Sequence, residues 1–185
     1  MSIRLKVFAL SLLALAAPAA AAPAYTADGD LIPPADYREW VFMSAGLDMS
    51  YSQSAMARAM GHSMFDNVFV DPAAWAAFKQ TGHWPDKAMF VLEIRRAESH
   101  GSINKSGQFQ TDDLMGVEAH VHDEARFKGG WAFFQLDGPG PAKQVPYQAE
   151  CYSCHQAHGA VDTTFTQFYP TAKPIAVKAG TFKEQ

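Results

Sequence analysis

The two cysteines of the chain lie three positions apart, and a histidine directly follows the second one. The segment reads Cys151-Tyr152-Ser153-Cys154-His155, which is the C-x-x-C-H pattern of c-type haem attachment. Two thiols one helical turn apart can reach the two vinyl groups on one edge of a porphyrin, and the histidine then lies beneath the iron. The sequence therefore predicts one covalent haem c per chain, attached through Cys151 and Cys154, with His155 as the iron ligand.

Two other uses of these residues have to be weighed. The ordinary alternative is a disulfide or a thioredoxin-like redox pair, but a redox pair belongs in a β-α-β context that the sequence lacks. Zinc could take Cys151, Cys154, His155 and His158, but four ligands within eight residues of one helix are poorly placed for a tetrahedron. Haem is therefore the favoured interpretation, and a redox or zinc site is the alternative.

Residues 1–22 have the pattern of a secretory signal peptide. Arg4 and Lys6 precede a short apolar run over residues 7–16, and the small residues at 20–22 follow it. The apolar run is too short for a membrane anchor. We therefore expect export to the periplasm, outside the cytoplasm where c-type haem is attached, and no membrane span once the signal peptide is removed.

Composition indicates a packed and mildly acidic protein. Hydrophobic residues make up 48% of the chain and aromatic residues 12%, which excludes wholesale disorder. The formal net charge of −4 argues against a nucleic-acid binder, which would need a basic face. The length of 185 residues indicates one main domain. We place it at residues 37–172, between a flexible leader at 23–36 and a weakly ordered tail at 173–185.

The pattern along this domain predicts an α+β fold, mainly an antiparallel β-sheet with short helices. Four segments have the alternation or the aromatic and β-branched content of strands: residues 67–70, 88–97, 116–123 and 131–136. Asp71 and Pro72 predict the start of a helix that stops at Gly82. Further helices are expected at 147–158, which would place C-x-x-C-H on a C-terminal helix, and at 163–169.

Alternation also divides the strand residues between two faces. Phe90, Leu92 and Ile94 share one face, which would make an apolar pocket wall if it is turned to the haem; plain sheet core is the alternative. Arg95 is a candidate partner for the haem propionates, and a solvated salt bridge would explain it equally well.

Three carboxylates are candidates for a proton relay, namely Glu93, Glu118 and Asp162. A surface or hydrogen-bonding role is the alternative for each of them. For Asp162 a further structural role is available, because it precedes the expected helix at 163–169 and could cap it.

The group on the second face of the iron decides between an electron carrier and a ligand-binding protein. His158 lies three residues from His155 and therefore on the same side of the haem. His120 and His122 share a strand face and could approach a pocket. Methionines are further candidates, with a core position as the alternative for each: Met43, Met49, Met56, Met60, Met64, Met89 and Met115.

The segment after the haem motif adds a second, more specific pattern. Residues 165–170 read FTQFYP, an F-x-Q-[FY]-Y-P sequence that follows C-x-x-C-H. This combination resembles the cytochrome P-460 family. The similarity continues upstream at residues 37–41, 67–72 and 79–93, so the resemblance spans about residues 37–170.

The resemblance implies a mainly antiparallel β fold, usually dimeric, around a five-coordinate haem c with His155 as proximal ligand. Members are of two kinds. The P-460 enzymes oxidise hydroxylamine and carry a cross-link between a lysine and the porphyrin. The related cytochromes c′-beta lack the cross-link and bind nitric oxide or carbon monoxide in an apolar pocket.

The chain departs from the enzyme pattern at one position. In the strand at residues 90–94, Leu92 stands where the resemblance places the cross-linking lysine, and Lys87 lies before that strand. We therefore predict a periplasmic cytochrome that binds nitric oxide or a similar small ligand, with a redox partner protein as a further candidate partner. The alternatives are a hydroxylamine or nitric oxide oxidoreductase with a cross-linked haem, and a six-coordinate electron-transfer cytochrome.

Overall fold

The strands of the structure form a meander. The computed structural model describes residues 22–49, 63–101, 105–136 and 138–184. The strands in these ranges are β1 (Val41–Leu47), β2 (Met64–Val70), β3 (Met89–Glu98), β4 (Phe109–His122) and β5 (Trp131–Gln135). They form one antiparallel sheet in the order β1-β2-β3-β4-β5, so every strand pairs with its neighbour in sequence.

Short helices flank the sheet. In the described part of the chain the α-helices are α1 (Pro72–Thr81), α2 (Glu150–His158) and α3 (Lys173–Ala179). Single 3₁₀ turns lie at Tyr37–Glu39, Lys128–Gly130 and Thr166–Phe168. An antiparallel sheet with short helices confirms the predicted α+β class, and the C-x-x-C-H residues all lie in α2. No helix in the described ranges combines the length and the apolar character needed to cross a membrane.

Helix α1 begins and ends as its sequence predicts. The Asp71 carboxylate accepts hydrogen bonds from the backbone N–H groups of Ala73 and Ala74, at 3.1 and 2.8 Å, and from that of Met89 at 2.9 Å. Because Met89 begins β3, this N-cap also joins α1 to the sheet. At the other end Gly82 adopts φ 73°, and a Cβ there would collide with the Ala179 methyl group of α3.

Both faces of the sheet are covered. On one face Val91, Val117 and Phe134 pack in a cluster that includes the fully buried Leu31. On the other face a second buried cluster joins Phe90 of β3 to α1 and α3. Within it Phe78 stacks on Trp84, with ring centroids 3.9 Å apart. The two clusters use alternate residues of the same strands, as a pleated sheet requires.

The segment before the first strand is part of this core. Residues 23–36 were expected to form a flexible leader, but Leu31 forms isolated β-bridges to both Tyr25 and Ala142 and is 0% exposed. Residues 1–21 of the predicted signal peptide lie outside the described residues. The candidate iron ligands Met56 and Met60 also lie outside them.

The C-terminal region also differs from the expectation. The tail is not weakly ordered throughout, because Ala176 of α3 packs into the second cluster. The predicted helix at 163–169 is wrong. Val161 and Thr164 form an isolated β-bridge, so the chain turns tightly there and leaves room only for the 3₁₀ turn at Thr166–Phe168.

We predict that Leu31→Ala lowers the free energy of unfolding by about 2–5 kcal/mol, because it leaves a cavity in a closed cluster. The neighbouring Ile32 is 46% exposed, so Ile32→Ala is the matched control and should change the free energy by no more than about 0.5 kcal/mol. Guanidinium unfolding followed by circular dichroism measures both. Equal, small effects of the two variants would show that the segment before β1 is only loosely attached.

Candidate functional site

A cavity of about 490 Å³ lies between α2 and one face of the sheet. Cys154, His155 and His158 of α2 line it on one side. Its other walls come from the sheet and from the segment after α2, and many of the lining side chains are apolar or aromatic: Val68, Phe90, Leu92, Phe133, Phe165, Phe168 and Tyr169. Ligand and cofactor sites in proteins have this size and this mostly apolar lining.

Helix α2 presents the motif residues as one group. Cys151, Cys154 and His155 occupy positions i, i+3 and i+4, which lie on the same side of a helix. Both cysteines are half-buried free thiols, and burial raises the pKa of each. The helix therefore directs two thiols and one imidazole to the same region, which is the donor set that a covalently attached haem requires.

The imidazole of His155 is held in a defined orientation. Its Nδ1 lies 2.8 Å from the carbonyl oxygen of Thr163, so Nδ1–H donates and Nε2 carries the lone pair. The rings of Phe165, Phe133 and His120 surround it, with centroids 4.2, 4.7 and 4.8 Å away. Burial lowers the pKa of His155 to about 4, which keeps the ring neutral at pH 7, as an iron ligand must be.

Strand β3 supplies the opposite wall, as its alternation predicts. Phe90 and Leu92 both line the cavity. Ile94, two residues further along, is half-buried and is not part of the lining. Phe90 is fixed by Trp84, with ring centroids 4.7 Å apart, and by Tyr169 at 6.2 Å.

Arg95 does not reach this cavity, so its predicted contact with a haem propionate is not supported. Its guanidinium bonds the carboxylate of Glu93, which also accepts from Tyr37 Oη at 2.5 Å and from Arg38 Nε at 2.7 Å. Burial alone would raise the pKa of Glu93, but the hydrogen bonds from Arg95 and Tyr37 lower it. Glu93 and Arg95 have the opposite parity in β3 to Phe90 and Leu92, and therefore lie across the sheet.

Most candidates for the second face of the iron lie elsewhere. His120 lines the cavity, but its ring packs directly against that of His155, with centroids 4.8 Å apart. His122 stacks on Trp131 with centroids 4.5 Å apart, and its Nδ1 lies 2.8 Å from the Pro85 carbonyl oxygen. Of the candidate methionines in the described ranges, only Met49 lines the cavity, with 48% of its surface exposed.

The carboxylates at the cavity are only partly those that the sequence indicated. Glu118 lines it, whereas Glu93 and Asp162 do not. Asp66 lines it as well and was missed, because the strand expected at 67–70 begins at Met64. Desolvation, together with the nearby charges of Asp48 and Glu118, raises the pKa of Asp66 to about 6. The strand alternation that indicated Phe90 would also have placed Asp66 beside Val68, had the strand start been set correctly.

The one lysine that was weighed for a porphyrin cross-link is held away from the cavity. Lys87 Nζ pairs with the carboxylates of Asp123 and, at 3.4 Å, Asp86. Among the described residues, no lysine or arginine lines the cavity.

We predict that Asp66 makes stability fall as the pH rises from about 4 to about 6. Its pKa is raised in the folded protein, so the folded state binds this proton more tightly than the unfolded chain, and the advantage is lost once the pH passes the folded pKa of about 6. Between pH 4.5 and pH 7 the free energy of unfolding of the haem-loaded wild type should fall relative to that of Asp66→Asn. The exposed Asp28 supplies the control, Asp28→Asn, which should follow wild type. Parallel pH profiles for wild type and Asp66→Asn would contradict the prediction.

The comparison with protein families agrees with the site. A model of the family described as Cytochrome P460 matches residues 34–166, a range that includes every strand, the C-x-x-C-H helix and most of the cavity lining. No curated protein matches the chain. The match covers most of the chain and confirms the resemblance seen in the sequence. The chain belongs to the cytochrome P460 family and is a haem cytochrome.

Proposed function

We propose that the protein is a periplasmic mono-haem cytochrome c whose iron, bound on one side by His155, takes nitric oxide or a similar small neutral ligand on the other. The observation that carries this proposal is the placement of Phe90 and Leu92 on the cavity wall that faces α2. When bound, the haem supplies an iron centre with one open coordination position. The chain supplies its attachment, its orientation and the exclusion of water.

The motif residues of α2 and the cavity wall divide these tasks. Cys151 and Cys154 would hold the haem covalently, and the Nδ1 hydrogen bond of His155 keeps Nε2 available to the iron. Phe90 and Leu92 give the ligand an apolar surrounding. Beside these two side chains water or an anion finds no hydrogen-bond partner, which makes its entry there costly, while a neutral diatomic molecule needs none.

Leu92 also separates this proposal from the cross-linked enzymes. A leucine on the cavity wall offers no nucleophile to the porphyrin, and the ion pairs of Lys87 keep its amine away. Export rests on the signal-peptide pattern of residues 1–22, and assembly as a homodimer follows from the resemblance to the family; both are part of the proposal.

A second candidate function is favoured by the carboxylates of the cavity. Oxidation of hydroxylamine releases several protons, and Asp66, with its pKa near 6, and Glu118 are in position to accept them. This activity would make the protein an oxidoreductase that passes electrons to a redox partner. We rank it second because Leu92 stands at the position of the cross-link.

Covalent attachment of the haem can be tested by mass spectrometry and by haem staining of a denaturing gel. The wild-type chain, made with a c-type haem maturation system, should have the mass of one chain plus one haem and should keep its haem on a denaturing gel. The double variant Cys151→Ser with Cys154→Ser should lose nearly all of this stain, because both thioethers are gone. Ser153→Ala, between the two cysteines, is the matched control. Retention of the stain in the double variant would rule out attachment through these thiols.

An iron with an open coordination position predicts a characteristic absorption spectrum. The ferrous protein should be high-spin and five-coordinate, and its absorption should shift when nitric oxide is added. A low-spin spectrum before addition would identify an electron carrier with a sixth protein ligand. A red-shifted Soret band, with a mass deficit that indicates a lysine bond and with turnover of hydroxylamine, would select the second candidate function instead.

Leu92→Ala tests the role of the apolar wall through the rate at which carbon monoxide binds the ferrous haem. The variant should bind carbon monoxide faster than wild type, because the substitution opens the wall that the ligand must pass. Leu114→Ala, on the exposed part of β4, removes the same atoms without reaching the cavity and should leave the rate unchanged.

A further inference from the structure

The carbonyl that bonds His155 belongs to a strained turn. Thr164 N–H donates to the Val161 carbonyl oxygen at 2.7 Å, which closes a two-residue turn around Asp162 and Thr163. Both central residues are left-handed, with φ 46° and 62°. Such turns favour asparagine and glycine at these positions, and a β-branched threonine with positive φ is unusual. The backbone therefore holds a conformation that its own sequence disfavours.

The turn is pressed onto the end of α2. A Cβ on Gly159 would lie 2.6 Å from both the His155 carbonyl oxygen and the Thr163 carbonyl carbon, so only glycine fits there. This approach brings the Thr163 carbonyl oxygen to 2.8 Å from His155 Nδ1. A change in the conformation of the turn would thus move the hydrogen-bond acceptor of His155.

The Asp162 carboxylate anchors the turn to the core. It accepts a hydrogen bond from the Trp84 backbone N–H at 2.8 Å, and both of its oxygens lie 3.1 Å from His83 Nδ1. The Trp84 indole adds a bond to Thr164 Oγ1 at 2.9 Å. Trp84 is itself 2% exposed and stacked on Phe78, so the anchor is rigid. Asp162 does not cap a helix, as its position in the sequence had suggested.

We propose that Asp162 is a positioning residue for the iron ligand, acting through the Thr163 carbonyl on His155. Strained backbone persists where the surrounding structure over-determines it, and here the anchors are the carboxylate of Asp162 and the segment of His83 and Trp84. This inference rests on the proposed function, because it requires that His155 binds the haem iron.

The expected consequence is electronic. A strong hydrogen bond from Nδ1–H makes the imidazole more basic, which strengthens its bond to the iron and favours the ferric state. If Asp162 is lost, the turn relaxes, the carbonyl moves and this hydrogen bond weakens. The iron–histidine bond should then weaken and the reduction potential should rise.

The test is resonance Raman spectroscopy of the ferrous haem-loaded protein, together with its reduction potential. Asp162→Ala should shift the iron–histidine stretching band to lower frequency and raise the potential. Asp162→Asn should shift both much less, because asparagine tolerates the left-handed conformation and its side-chain oxygen can still accept from Trp84 N–H. The exposed Asp28 provides the control, Asp28→Ala, which removes the same charge and should leave both readouts at their wild-type values.

The outcomes separate this inference from the proposed function. Wild-type frequency and potential in a folded Asp162→Ala protein would overturn the inference and leave a merely structural role. If that variant does not fold, His83→Ala decides, because the His83 side chain is 58% exposed and its loss is tolerable. A shift in the same direction supports the inference, and no shift overturns it. A wild-type protein without an iron–histidine band would remove the proposed function, and this inference with it.

Discussion

The hydrogen bond from His155 Nδ1 to the Thr163 carbonyl oxygen joins the parts of the molecule that matter for the site. It fixes the tautomer and the orientation of the imidazole. It also couples α2 to a turn that is bonded to His83 and Trp84, in the segment between α1 and β3. Helix α2, which carries the haem motif, is thereby tied to the sheet that forms the opposite wall. A site of this kind needs such support, because small displacements of a ligand change its chemistry.

Side chains alternate along the strands, so one face of the sheet lines the cavity and the other packs in the core. In β3, Phe90 and Leu92 face the cavity, while Val91 packs in the opposite cluster and Glu93 bonds Tyr37, Arg38 and Arg95. In β3 the pleat therefore keeps the ion pairs of Glu93 with Arg38 and Arg95 out of the cavity. The same alternation in β4 sends Glu118 and His120 to the cavity and Val117 and Val121 to the core.

Local patterns in the sequence predicted the parts of the site that local geometry determines. The spacing of Cys151, Cys154 and His155 placed them together on α2, and alternation placed Phe90 and Leu92 on one face. Arg95 was predicted to contact a haem propionate because of its charge, although its odd position in β3 places it on the other face from Phe90 and Leu92. The structure places Arg95 on that other face. Nothing local indicates that Asp162 bonds Trp84 or that α3 packs on α1, because these contacts join residues about eighty to one hundred positions apart. Asp66 was lost through an error of three residues in the start of β2.

The charges at the cavity bear on the class of ligand. Among the described residues its lining holds the carboxylates of Asp48, Asp66 and Glu118 and no lysine or arginine. Desolvation raises the pKa of Asp66, and the neighbouring charges of Asp48 and Glu118 raise it further, so the local field is already unfavourable to negative charge. An anionic ligand would meet this field and also lose its hydration beside Phe90 and Leu92. A neutral diatomic ligand has neither cost, so the electrostatics and the apolar wall favour the same class of ligand, each for its own reason.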